Sequence, residues 1–435
     1  MFPDLDRAMR RLSQLGAVKA FCKPLAENDN SKQQIYLGGN LEAVQMFPLR
    51  AIEASKTGTE GTYKAKLDFH WVTEDSTEPA SGAQLILYPQ YPEVRLSGFL
   101  IGCKCAPNAL LRPLGKDERR HNNGPDGRVL IFGITADGRT LALLAPPTSN
   151  LAKEILGRVA KDDFPKESVF YSLPLLGRDS RSILLDRLTE IRQVGWQPSI
   201  RLNVAGVVQP YLASNGGGYT LEALLNVIPN GRAEPDFLGW EIKAHGYSRI
   251  TLMTPEPTGG LYRERGVGAF VAKFGHPTDN DTLYFTGIHR ANERNTTTKL
   301  SLVLRGFDAS RSLIEDVNGA IELVDDDDGC AAAWSFASLM IGWNRKHAQA
   351  AYVTYEKRKT IDALEYRYLS PVHLGEGTDF SRYLSAVASR RVIFDPGSKV
   401  MNASSARPTV KARSQFRTTT EHLSTLYQKY GPVII

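Results

Sequence analysis

The stretch Pro235, Asp236, Phe237, Leu238, Gly239, Trp240, Glu241, Ile242, Lys243 constrains this chain more than any other. Around Glu241 the apolar Trp240, Ile242 and Ala244 alternate with Glu241 and Lys243, the period-two pattern of a half-buried strand. On such a strand Glu241 and Lys243 lie two apart and share a face. Asp236 reaches the same spot only if the chain bends before Glu241, and Gly239 is the residue that allows the bend. Two carboxylates and an ammonium then converge.

That convergence suits phosphodiester hydrolysis, which needs a polarised water and neutralised phosphate charge. A Mg2+ ion held by carboxylates supplies both. In this reading Asp236 and Glu241 hold the metal, while Lys243 orients or deprotonates the attacking water. Without a metal, carboxylates packed this closely repel and one of them titrates high. The D-x4-E-x-K spacing alone arises by chance in roughly one chain in ten of this length. Its plain alternative is an edge strand with Glu241 and Lys243 facing solvent, so the decision rests on other residues.

Fourteen residues before Asp236 lies Glu222, within Gly216, Gly217, Gly218, Tyr219, Thr220, Leu221, Glu222, Ala223, Leu224, Leu225. This reads as a glycine turn running into a helix that Thr220 caps. The helix, the loop Pro229, Asn230, Gly231, Arg232 and the following strand resemble the catalytic core of the MvaI/BcnI family of restriction endonucleases. T-L-E-A-L-L, P-D-F and E-I-K all stand intact. The likeness continues through Thr251, Leu252, Met253 and Thr254, then Pro257 and Thr258, then Trp334, Ser335 and Phe336, to Phe416 and Arg417. It spans roughly Ser180 to Ile435. It implies an α/β restriction-endonuclease-like domain of the PD-(D/E)xK, MutH-like type, with Glu222, Asp236, Glu241 and Lys243 as its catalytic set.

Charge is unevenly distributed. The chain carries a net +6, and from Arg390 to the end eight Lys and Arg stand against two acidic residues, so the last 46 residues hold a surplus of the same size. Such a segment is either a solvated face or a DNA-facing lobe. The family places base-contacting loops here, which assigns Lys411, Arg413 and Arg417 to DNA. Where the family carries histidines just before its F-R pair, this chain has Val410, Lys411, Ala412 and Arg413. Arg and Lys read guanine through O6 and N7, which keeps a G/C-containing target but not the precise bases.

Before the core, short apolar or alternating runs predict an all-β domain, a small closed or half-closed barrel. They are Val18 to Lys23, Gln34 to Leu37, Thr62 to Val72, Ala83 to Tyr88, Glu93 to Phe99, Val129 to Thr135 and Leu141 to Leu144, with a helix from Leu151 to Lys161. Lys23, Leu25, Asn28, Asp29, Gln34, Tyr36 and Phe47-Pro48 look like the opening of the EcoRII-type N-terminal effector domain, a B3-like DNA-binding pseudobarrel. By that likeness one arm holds Ser31, Lys32, Gln33, Gln34 and Tyr36, and the other Gln90, Tyr91, Glu93 and Arg95. The alternative is a plain β-domain with ordinary surface charges. A second basic patch, Lys116, Arg119, Arg120 and Arg128, reads as a loop that brushes phosphate.

The domains predicted are therefore 1-162, a linker at 163-179 marked by Pro165, Pro174 and Gly177, and 180-435, which opens on an amphipathic helix from Ser180 to Val194. The 42% apolar content supports real cores, and no apolar run is long enough for a bilayer. The first residues suit an amphipathic helix and not a signal peptide, giving an expectation of a cytoplasmic protein. Cys22, Cys103, Cys105 and Cys330 are scattered, and the C-x-C pair lacks a second pair for zinc, so they read as reduced packing thiols. His245 beside the core strand is either a DNA contact or a structural histidine. The acidic run Asp325 to Asp328 lacks calcium-loop spacing and reads as a solvated turn.

The expectation is a Mg2+-dependent type II restriction enzyme acting on double-stranded DNA as a monomer. The resemblances imply a CC-N-GG-type site, with CCWGG favoured, a type IIE layout, and a cognate DNA methyltransferase encoded nearby without direct contact. A MutH-like strand-nicking endonuclease, a catalytically silent DNA-binding protein and an enzyme with no nucleic-acid substrate remain the alternatives.

Overall fold

The computed structural model describes residues 2–27, 29, 33–39, 41–55, 61–112, 125–175, 179–213, 215–228, 235–246, 249–360 and 363–435. Ser31, Lys32, Lys116, Arg119, Arg120 and the loop Pro229 to Arg232 lie outside the described residues. The chain forms two compact units, Met1–Asp186 and Arg187–Ile435, and the division falls inside the helix Ser180–Val194.

The first unit opens on the helix Leu5–Gln14. Asp4 caps it by accepting the Arg7 N–H at 2.7 Å, and Leu5, Ala8, Met9 and Leu12 are buried at helical spacing. Among the described residues the strands form two sheets and no closed barrel. Seven strands run in the order Lys166–Glu167, Phe170–Leu173, Ala17–Ala26, Pro125–Thr135, Thr140–Ala145, Phe69–Val72, Thr77–Pro79. Five more run Gln34–Gly38, Glu93–Ser97, Gln84–Tyr88, Thr62–Lys66, Ile52–Ser55.

The reason for two sheets is local. The run Thr62 to Val72 breaks at Leu67 and Asp68, where the Leu67 N–H bonds to the Ala83 carbonyl and the Asp68 carbonyl accepts from Thr140. One half joins each sheet. Phe21, Phe47, Phe132 and Phe170 pack mostly edge-to-face in the core, with centroids 5.1 Å apart for Phe21–Phe170 and 5.2 Å for Phe47–Phe132. Phe170 comes from the stretch expected as a linker. That stretch carries turn residues, but its Phe170 and Leu173 are apolar enough to be buried, and the strand they end pairs with Ala20 to Cys22.

In the second unit the central mixed sheet is built on the long strand Gln349–Lys359. Glu241–His245 pairs with it in parallel, Glu241 opposite Ala350 and Lys243 opposite Tyr352. Val372–Glu376 and Leu364–Tyr368 pair with it antiparallel, and Lys429–Val433 and Gln197–Pro198 extend the sheet. Further small sheets carry the basic C-terminal strands. Phe416–Thr419 lies between Arg249–Met253 and Val392–Phe394, and Gly397–Met401 lies between Thr282–Thr286 and Thr409–Lys411. Trp334 packs against Phe394 and Phe416 and donates its indole N–H to the Pro255 carbonyl at 3.0 Å. Ser335 then caps the helix Phe336–His347. The Trp-Ser-Phe run is thus a strand end, a cap and a helix start.

Candidate active site

The helix Gly216–Leu224 begins earlier than the sequence predicts, and Thr220 is not its cap. The first two of the three glycines lie against a tyrosine wall that leaves no room for a side chain. A Cβ on Gly217 would sit 2.5 Å from the Tyr355 ring, and one on Gly216 would sit 2.6 Å from the Tyr366 hydroxyl. The Gly217 carbonyl accepts from the Tyr368 hydroxyl at 2.7 Å. Thr220 is fully buried and bonds both ways to Ile200, accepting its N–H at 3.1 Å and donating to its carbonyl. Glu222 is carried on the next half-turn, partly buried.

Asp236 and Glu241 are brought together by a two-residue hairpin. Phe237 and Trp240 exchange N–H to carbonyl bonds at 2.9 Å, and Leu238 and Gly239 both take positive φ, at 49° and 90°. This is the turn chemistry of a type I′ loop, which favours glycine at its second position. The Asp236 Oδ2 accepts the Ile242 N–H at 2.9 Å, tying the carboxylate to the strand start. Trp240, fully buried, anchors the turn.

Glu241 is the centre of the site and is 1% exposed. Its Oε1 accepts from Lys243 and, at 3.4 Å, from Lys346. Its Oε2 is buried with no hydrogen-bond partner among the described residues. Burial opposes the Glu241 charge, but Lys243 and Lys346 outweigh it and hold the carboxyl below its ordinary range. Glu222 is pushed up to about 7 and Asp236 to about 6, first by burial and then by facing other carboxylates. Burial would lower Lys243, yet Glu241, Asp236 and Glu222 together raise it. The surrounding carboxylates thus offset the cost of burying the Lys243 charge.

Lys346 was not anticipated from the sequence. It lies in the last turn of Phe336–His347, in an Arg-Lys-His run that spacing alone does not connect to Glu241. The neighbouring His347 is fully buried. Its Nε2 donates to the Leu252 carbonyl at 3.1 Å, so neutral Nδ1 accepts from the Tyr427 hydroxyl, which in turn accepts from Tyr352 at 2.7 Å. The chain of bonds leaves the ring neutral beneath the lysines, and burial followed by Lys243 pushes it down to about 4.

The predicted DNA-facing residues fall into three settings. Lys411 and Arg413 are exposed on and just after the hairpin strand Thr409–Lys411. Arg417 is instead committed to Asp395, Nη1 to Oδ2 at 2.7 Å, and is only partly exposed. In the first unit, Gln33 is exposed, and Gln34, Tyr36, Glu93 and Arg95 form one patch, because the two segments expected as separate arms are paired strands with Tyr36 opposite Arg95. Arg95 donates to Glu93 and to the Gln34 Oε1 at 3.0 Å and lies over the Tyr88 ring. Lys23 and Asp29, which carry part of the second likeness, make a buried ion pair at 2.6 Å.

Comparison with curated proteins finds no match. Among solved structures, the chain is similar to the restriction endonuclease MvaI in complex with its cognate DNA substrate, at 17% identity and a TM-score of 0.47, over 59% of this chain and 100% of that one. MvaI in the absence of DNA matches at 17% identity and a TM-score of 0.34, over 59% and 99% of the two chains. The model of the MvaI/BcnI restriction endonuclease family matches residues 185–427, more than half of the sequence and including the whole Glu222, Asp236, Glu241 and Lys243 constellation. The chain belongs to the MvaI/BcnI restriction endonuclease family and is a type II site-specific deoxyribonuclease.

Proposed function

We propose that the enzyme is Mg2+-dependent and cuts double-stranded DNA at a short CC-N-GG-type site, CCWGG favoured, with Glu222, Asp236, Glu241 and Lys243 as its catalytic residues. The observation that carries this reading is the divided Glu241 carboxylate, with both lysines on Oε1 and a buried, unpartnered Oε2. A buried anionic oxygen without a partner is costly, and a hard cation is the partner that suits it. Asp236 and Glu241 would hold the ion. When bound, it polarises a water and offsets charge on the scissile phosphate. Lys243 and Lys346 hold Glu241 ionised, Lys243 also faces the phosphate as an ammonium, and Glu222 positions water from the helix.

Lys411 and Arg413 are proposed to contact DNA, and Gln33, Gln34, Tyr36, Glu93 and Arg95, with Lys32, to form a second DNA surface on a B3-like effector domain. The finer reading also includes a type IIE enzyme of the cytoplasm, monomeric, paired with a separately encoded methyltransferase. The test is incubation of plasmid with the protein and Mg2+, followed by sequencing of the ends. Asp236→Ala, Glu241→Ala and Lys243→Ala should each abolish cleavage while leaving DNA binding largely intact, because affinity comes from phosphate and base contacts elsewhere. Near-normal cutting by any of the three sinks the assignment. Nicked circles that never become linear would identify a strand-nicking enzyme, since one active site must cut the two strands in succession.

A further inference from the structure

In the first unit, three side chains that no part of the nuclease reading uses are gathered in one place. Glu78, Cys103 and Cys105 present an oxygen and two sulfurs that all lie within 4.8 Å of one another. Cys103 Sγ is 3.5 Å from Cys105 Sγ and 3.6 Å from Glu78 Oε2. Cys103 is buried and the other two are half-buried. The sequence offers no second thiol pair near the C-x-C, and Glu78 lies 25 residues before Cys103, so spacing could not reveal the third donor.

The loop holding the thiols is fixed before any ligand arrives. Trp71 donates its indole N–H to the Phe99 carbonyl at 2.6 Å. Gly98 and Gly102 take positive φ, and a Cβ on either would collide with Gly82 or Ser81, so this loop lies tight against the turn before the strand Gln84–Tyr88. Glu78 Oε2 accepts the Lys104 and Cys105 N–H groups at 2.9 and 3.1 Å, which ties the thiol loop to the carboxylate, while the Cys105 Sγ lies 3.7 Å from the Trp71 carbonyl. Cys105 also lines a cavity of about 140 Å3 with Trp71, Pro107 and Leu143, large enough to hold water.

We propose that Glu78, Cys103 and Cys105 form a site for a thiophilic divalent cation of the Zn2+ class, which clamps the loop to the strand Thr77–Pro79. Two thiolates and one carboxylate match the ligand types of zinc, and three protein ligands leave one position for water. Binding releases the two thiol protons, so that the dication meets three anionic donors and leaves a net single negative charge at the site. Affinity therefore rises with pH. Cys22, buried in the core, and Cys330, in the other unit, take no part.

The test uses the full, reduced chain, freed of metal and titrated with Co2+ under argon. One equivalent should develop the intense near-ultraviolet absorption of thiolate-to-cobalt charge transfer, and Zn2+ should abolish it and protect two of the four thiols from a thiol reagent. Cys103→Ser and Cys105→Ser should each lose the band. Glu78→Gln, which keeps an acceptor for the two N–H groups, should weaken Co2+ binding by roughly tenfold or more. Glu241→Ala should keep the band, because any Co2+ at the carboxylate site has no sulfur ligand. Absence of the band in the reduced wild type, its survival in both Cys variants, or oxidation to a disulfide as the only chemistry of the pair would overturn the proposal. Loss of DNA cleavage in Glu241→Ala with the band retained separates this site from the nuclease centre.

Discussion

A single carboxylate organises the candidate active site, and the lysines around it are not equivalent. Lys243 lies two residues away on the same strand, whereas Lys346 reaches Glu241 from another helix at 3.4 Å. Lys346→Ala should therefore lower the cleavage rate about 10- to 100-fold, the usual cost of losing a group that supports a metal ligand, if Glu241 holds the ion as proposed, while Lys243→Ala abolishes it. Single-turnover cleavage under saturating metal would show the difference, and equal loss in both variants would make Lys346 a direct catalytic group. The glycines before Glu222 permit a sharper contrast. Gly217→Ala puts a methyl against the Tyr355 ring and should cost about 1 to 3 kcal/mol while displacing Glu222. Gly218→Ala meets nothing within 4 Å and should be neutral or gain about 0.5 to 1 kcal/mol from helix propensity. Thermal unfolding of both variants tests the pair, and equal destabilisation would refute the tyrosine-wall account.

At the scale of elements, legibility followed how local the signal was. The hairpin bend, the strand Glu241–His245 and the helix Ser180–Val194 rest on neighbouring residues, and all three were readable. Thr220 was misread because a Thr after glycines looks like a cap, while its partner is Ile200, twenty residues away. Lys346 and the Phe170–Leu173 strand were missed for the same reason, since their partners are distant in sequence. The C-terminal charge was readable as a total but not as a geometry: Arg417 faces Asp395, whereas Lys411 and Arg413 stay exposed in the hairpin region. Arg413→Ala should cost about 1 to 3 kcal/mol of binding and relax one base position if it meets a base edge, and Lys411→Ala should weaken all sequences alike and reduce the salt slope if it meets phosphate. Gel-shift titrations across salt separate the two. Arg417→Ala should instead show up first in stability, through the loss of a partly buried ion pair.

Elements also set the acid limit. His289 is fully buried between Phe285 and Phe394, with its Nε2 on the Thr298 hydroxyl, and burial pushes it down from 6.5 to about 4 despite Asp395 nearby. Its depressed folded value means that stability is complete above the unfolded value and is lost as pH falls from about 6.5 toward about 4, by as much as about 3 kcal/mol. His289→Gln removes that dependence. The gap in unfolding temperature between wild type and variant should narrow as pH is lowered from about 7 to about 4.5. A constant gap would mean that the ring is already charged in the folded state.

At the scale of the molecule, the family match begins at residue 185, and the unit before it needs its own reason. Its half-exposed patch of Gln34, Tyr36, Glu93 and Arg95 lies on paired strands, and Arg95 is held by Glu93, Gln34 and the Tyr88 ring. A guanidinium oriented by such neighbours is prepared to bond in one direction, which suits base or phosphate recognition more than a freely solvated charge does. If this unit binds a second DNA copy, joining it to the nuclease raises the effective concentration of that copy or relieves an inhibitory contact. A fragment from Asp179 to Ile435, which keeps the helix Ser180–Val194 whole, should then cut by itself but lose any preference for two-site over one-site plasmids. In the full chain, Arg95→Ala and Gln34→Ala should reduce that preference without lowering the one-site rate. If the fragment and both variants keep the wild-type ratio of two-site to one-site rates, the effector role is wrong, and the nuclease assignment stands without it.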